Sequence, residues 1–138
     1  MVTKDYLLLF FPLIAAALSS YLTYLFAIKS KHKESILKFK EEKYSNLLIL
    51  LQGFVGRTAN ANTKKTFFEE QYRSWLYSSD EVVDAINKML MLVRGSAESN
   101  TDQDAGKKAV GNIVLAMRKD LLGKTDLSYK DFEYIDVY

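Results

Sequence analysis

Residues 25–48 read LFAIKSKHKESILKFKEEKYSNLL, an apolar run that enters a cluster of lysines and emerges as a new apolar pattern with no glycine or proline in between. Lys, Glu, Leu and Phe are all compatible with helix. The stretch therefore predicts one helix that passes from a nonpolar medium into water and then begins a second, packed role.

Upstream, residues 6–28 (YLLLFFPLIAAALSSYLTYLFAI) hold 23 positions without a charge, enough to cross a hydrocarbon core of about 30 Å as a helix. A cleavable signal peptide is the rival, because AAALSS supplies small residues. Its apolar region would stop at about 7–15 residues, and this one runs on past Ser20, so an uncleaved span is expected. Lys4, Asp5 and the amino terminus precede it, whereas Lys29, Lys31, Lys33, Lys38 and Lys40 follow. The positive-inside rule then predicts a single pass through the cell inner membrane, N-terminus outside and C-terminal part in the cytoplasm. Lys29, Lys31 and Lys33 form the basic membrane-surface collar, their stems able to snorkel to lipid headgroups.

The organisation expected is an external stretch 1–5, a transmembrane helix 6–28, a basic juxtamembrane helix 29–43 and a cytoplasmic helical domain 44–138. One continuous helix is predicted from about Asp5 to about Arg57, on the order of 80 Å long, with Pro12 placed to kink it inside the membrane. Stepping by seven along it gives Ala16, Thr23, Ser30, Leu37, Tyr44 and Leu51, with Ser20, Ala27, Glu34, Glu41, Leu48 and Val55 as companions. Ala16 and Ser20 are a small-xxx-small pair that lets helices approach closely in lipid. Ala16, Ser20, Thr23, Ala27, Leu37 and Tyr44 are therefore the candidate oligomer or pore face. Beyond Tyr44 the stripe is better read as packing on the protein's own later helices.

Downstream, QGFVGRTANANTKK (52–65) has the glycines, asparagines and threonines of a helix end and loop. TKKTFFEEQYRSWLYSS (63–79) predicts a second helix with a large aromatic face: Phe67, Phe68, Tyr72, Trp75 and Leu76. Ser78 and Glu81 have capping-box spacing before Val82, Val83, Ile86, Met89, Leu90 and Val93, which repeat at helical intervals up to Gly95. The polar stretch GSAESNTDQDA (95–105) reads as a loop. A last strong helix is expected from about Thr101 to Leu122, with Val110, Ile113, Val114, Met117 and Leu121 inward and Gly123 as C-cap, then a short helix or turn from Ser128, three residues before Asp131. Nothing alternates at period two, so the fold class is all-α: the long N-terminal helix packed in an antiparallel bundle of about four helices.

The chemistry inventory is short. The chain of 138 residues carries a net charge of +2, one histidine and no cysteine, which excludes disulfides, thiol catalysis and sulfur-ligated metals. His32 sits between Lys31 and Lys33 beside the span, where solvation or lipid contact is its ordinary role. Gly53 and Gly56 lack the Lys-Ser/Thr ending of a phosphate loop. Ser78, Ser79 and Asp80 have the spacing of a cap, and no base accompanies them. In AMRKDLLGKT (116–125), Arg118 and Lys119 complement a helix C-terminus, or Arg118 pairs with Asp80 or Glu81. They are also the candidate phosphate or partner contact, a use that Asp120 opposes by repulsion. The expected protein is not an enzyme, takes no cofactor or metal, and has membrane lipid, further copies of itself and a protein effector as candidate partners. Nucleic acid and nucleotides are disfavoured.

Three blocks, KYSNLLILLQ (43–52), WLYSSDEVVDAIN (75–87) and LAMRKDLLGKT (115–125), resemble a widespread group of small bacterial single-pass membrane proteins with a helical cytoplasmic domain. The resemblance implies architecture. In layout the chain is also similar to the membrane accessory proteins of RNA-targeting CRISPR nucleases, which implies assembly into pores during antiphage defence. The Arg/His nuclease-like motif associated with those proteins has no counterpart in the helical domain, whose residues include no histidine.

Overall fold

A computed structural model describes residues 2–54, 60–95 and 103–133. It comprises α1 (Val2–Leu51), α2 (Ala61–Ser74), α3 (Asp80–Gly95) and α4 (Gln103–Leu122), with short 3-10 turns at Gln52–Phe54 and Tyr129–Asp131. The protein is an all-helical bundle of four helices, with no strand among the described residues. It divides into two compact units, Met1–Lys38 and Phe39–Tyr138. The first contains the described apolar part of α1, long and apolar enough to cross a bilayer, and helix continues through Pro12.

In the second unit each helix contributes one buried stripe at helical spacing. Tyr44, Leu47 and Leu51 from α1 meet Phe67 from α2, Val82, Ile86 and Met89 from α3, and Val110, Ile113 and Met117 from α4. Glu81 in the first turn of α3 pairs with Lys119 in the last turn of α4, and Lys88 faces the same groove as Ala109 and Asn112, so these two helices run in opposite senses. The chain after α4 folds back along it. Gly123, at φ +83°, takes the left-handed C′ position and its N–H donates to Lys119 O at 2.8 Å, a conformation that glycine adopts without a Cβ penalty. Tyr129 then lies against Gly111, where an added Cβ would come within 3.3 Å of the Tyr129 Cβ.

Several boundaries differ from those expected. Helix α1 stops at Leu51, not near Arg57, because the chain tightens there into a 3-10 turn that brings α2 close. A Cβ on Gly53 would sit 2.7 Å from Thr63 Cγ2, so only glycine permits this approach. Helix α2 starts earlier than expected, with the Asn60 side chain accepting from Asn62 N–H at 2.9 Å as N-cap. The carbonyl of Ser79, not Ser78, accepts the first bond of α3, from Val83 N–H at 3.1 Å. The turn expected at Ser128 is present: its N–H and hydroxyl both donate to Asp131 Oδ2, at 2.7 and 2.9 Å. These bonds, the backbone one foremost, hold the Asp131 carboxyl below its usual range. Residues 55–59 and 96–102, which carry parts of the two expected loops, lie outside the described residues, as do the side chains of 2–9.

Candidate functional site

The candidate site residues fall into four groups. Ala16, Ser20, Thr23 and Ala27, at intervals of four, three and four, share one face of α1, and all four are exposed. Thr23 satisfies its own hydroxyl by donating to Ser19 O at 2.8 Å, so this face holds small side chains and no unpaired hydroxyl at Thr23. The large apolar residues around it are equally uncovered, Phe11 and Phe26 at 73% and 70% exposure.

The collar follows. Lys29, Lys31 and Lys33 are exposed, and Lys38 pairs with Glu34 one turn back at 3.2 Å. Both partners are well solvated, so this pair contributes about 0.3–0.5 kcal/mol.

Leu37 and Tyr44 share a heptad row with Ala16 but have different surroundings. Leu37 is 42% exposed, whereas Tyr44 is 1% exposed and belongs to the protein's own core. Its hydroxyl donates to Asp120 Oδ2 at 2.5 Å, and Lys40 donates to both oxygens of the same carboxylate at 3.1 and 2.8 Å. Lys40 and Asp120 are 80 residues apart in sequence and only 19% and 13% exposed. The knot joins the start of α1's bundle segment to the last turn of α4. Burial, reinforced by the Asp120 bond, holds the Tyr44 phenol well above its usual range. Beside it, burial and then the Glu70 carboxylate push Tyr77 up to about 12. Both phenols are thus neutral near pH 7.

Arg118 is exposed, and the cross-helix ion pair anticipated for it is made by its neighbour, Lys119 to Glu81 at 2.7 Å. Lys119 is thus engaged with Glu81, and Asp120 is tied to Lys40. Among the described residues no group of three or more His, Cys, Asp or Glu side chains could hold a metal ion.

Sequence reasoning missed the Lys40–Tyr44–Asp120 knot. Its signal was a carboxylate in the last turn of a helix, where the macrodipole disfavours negative charge unless a cation offsets it. No family model, curated protein or solved structure matches this chain.

Proposed function

We propose that the chain is a non-enzymatic, single-pass inner-membrane protein, its N-terminus outside and its helical domain cytoplasmic, that self-associates through its span. The observation that carries this reading is α1 from Phe10 to Ile28, apolar and exposed around its whole circumference. Such a surface in water opposes solubility, and in lipid it is the ordinary exterior of a span. The lysines that follow it, from Lys29 to Lys40, favour the cytoplasmic side for the bundle.

Self-association is assigned to the membrane half because, beyond the exposed Leu37, the cytoplasmic half of the stripe is engaged elsewhere: Tyr44 and Leu51 are buried in the bundle. Ala16, Ser20, Thr23 and Ala27 remain, and small side chains let backbones approach closely enough for dispersion to hold helices together in lipid. An assembly of such faces would form a pore or perturb the membrane, the role that the similarity in layout to the CRISPR accessory proteins implies in antiphage defence.

Native mass spectrometry of the full-length protein in mild detergent tests this. The expected result is a single species larger than a dimer, shifted to monomer by Ala16→Leu combined with Ser20→Leu, since overpacking a close contact costs about 1–3 kcal/mol. A monomeric wild type, or an assembly indifferent to the double substitution, would contradict it. The monomer would redirect the reading to an anchor for a separate effector.

A further inference from the structure

Resting on the reading that α1 spans the membrane, we propose that the side of α1 opposite its small-residue row holds one anionic phospholipid, with the phosphate at Lys29, His32 and Lys33 and an acyl chain along Leu25, Leu22 and Leu18. Leu18, Leu22, Leu25, Lys29 and His32 follow one another at intervals of four, three, four and three, so they share one side of the helix. With about 3.6 residues per turn, this row points about 170° away from Ala16, Ser20, Thr23 and Ala27. Copies that pack through the small residues therefore leave it to lipid. Leu22, Leu25, Phe26 and Ile28 line a shallow groove that continues onto Lys29 and His32. From Leu18 to Ile28 the helix rises about 15 Å, half of a hydrocarbon core of about 30 Å, so the apolar part of the row matches one leaflet and its cations fall at the headgroups.

The polar end of this side suits a phosphate. Lys29 and Lys33 stand one turn apart on either side of His32, and all three are exposed. None of them has a carboxylate three or four residues away, the spacing at which helix side chains meet. Two like charges one turn apart repel, and a phosphate between them offsets that repulsion while accepting from both ammonium groups and from a ring N–H of His32. The opposite side differs, since Lys31 and Lys38 lie there and Lys38 is engaged with Glu34. An apolar groove that runs directly into the cations favours a lipid over a free phosphate.

The full-length protein in mild detergent is titrated with phosphatidylglycerol and, separately, with phosphatidylcholine, and native mass spectrometry reads the lipid retained per chain. The expected result is one phosphatidylglycerol per chain in preference to phosphatidylcholine. Lys29→Gln combined with Lys33→Gln holds it about 30-fold more weakly, roughly fivefold for each lysine, whereas Lys31→Gln combined with Lys38→Gln leaves it unchanged. Glycerophosphoglycerol, the headgroup without its chains, does not displace it. Equal retention of the two lipids, or equal weakening by the two double substitutions, would overturn the site. Displacement by glycerophosphoglycerol would assign the cations to a free phosphate and equally overturn it. Flotation with phosphatidylglycerol vesicles separates the site from the span: protein that floats without a lipid preference contradicts the site alone, and protein that does not float contradicts both.

Discussion

Replacing Asp120 by alanine lowers the stability of the bundle by about 3 kcal/mol, because it removes one side of a mostly buried ion pair and strands the other. Lys40 loses both of its described acceptor contacts, and the Tyr44 hydroxyl loses its acceptor deep in the core. The intact pair is not itself a large source of stability, since desolvating both ions offsets most of their attraction. Hence the combination of Lys40→Met, Tyr44→Phe and Asp120→Leu, which strands no polar partner of the knot, recovers most of the loss. Arg118→Ala, two residues away and exposed, stays within about 0.5 kcal/mol of wild type. Urea unfolding of the full-length protein in mild detergent, followed by near-ultraviolet circular dichroism, reads all three. If Asp120→Ala unfolded at the wild-type midpoint, the knot would have no structural role.

Phe67→Ala destabilises the bundle by about 3–5 kcal/mol, the range for deleting a buried aromatic side chain. Phe67 is fully buried and meets Phe54 edge-on at 4.9 Å and Phe68 at 6.0 Å. Its removal opens a cavity between α2 and the turn that ends α1, where Gly53 already fits tightly against Thr63, so the surroundings have little freedom to collapse inward. The same substitution at Leu76, 89% exposed, changes stability by less than about 0.5 kcal/mol. The contrast separates the core position in α2 from the exposed turn that follows it, and equal effects would contradict the packing described.

That contrast also shows how far the fold was legible in the sequence. Hydropathy placed Phe67, Phe68, Tyr72, Trp75 and Leu76 on one aromatic face of α2. The structure buries Phe67 with Gln71 and Ser74 instead, a row at intervals of four and three in which Ser74 Oγ donates to Gln71 O at 2.6 Å. A serine whose hydroxyl is satisfied by the backbone of its own helix can enter a core, and a pattern that counts only apolar residues cannot detect it. Where the signal is local, the reading was accurate: Ile86, Met89, Ile113 and Met117 line the core, Gly123 has positive φ, and Ser128 with Asp131 closes a turn. Where the determinant is a partner distant in sequence, the reading failed. Lys40 looked like part of the collar and Asp120 like a repulsive neighbour of Arg118, yet each is explained by the other across 80 residues. The close approach of Gly53 to Thr63 of the next helix was likewise not legible locally.

If α1 lies in lipid with the bundle on the cytoplasmic side, as proposed, single-cysteine labelling reads it out, because the chain contains no cysteine of its own. Thr3→Cys, Ala17→Cys and Lys130→Cys are each treated with a membrane-impermeant maleimide in cells whose outer membrane has been permeabilised, and again after the inner membrane is disrupted. The expected result is labelling of Thr3→Cys from outside, of Lys130→Cys only after disruption, and of Ala17→Cys in neither condition until detergent denaturation. Labelling of Ala17→Cys as readily as Lys130→Cys would place α1 in water, and labelling of Lys130→Cys from outside would reverse the orientation.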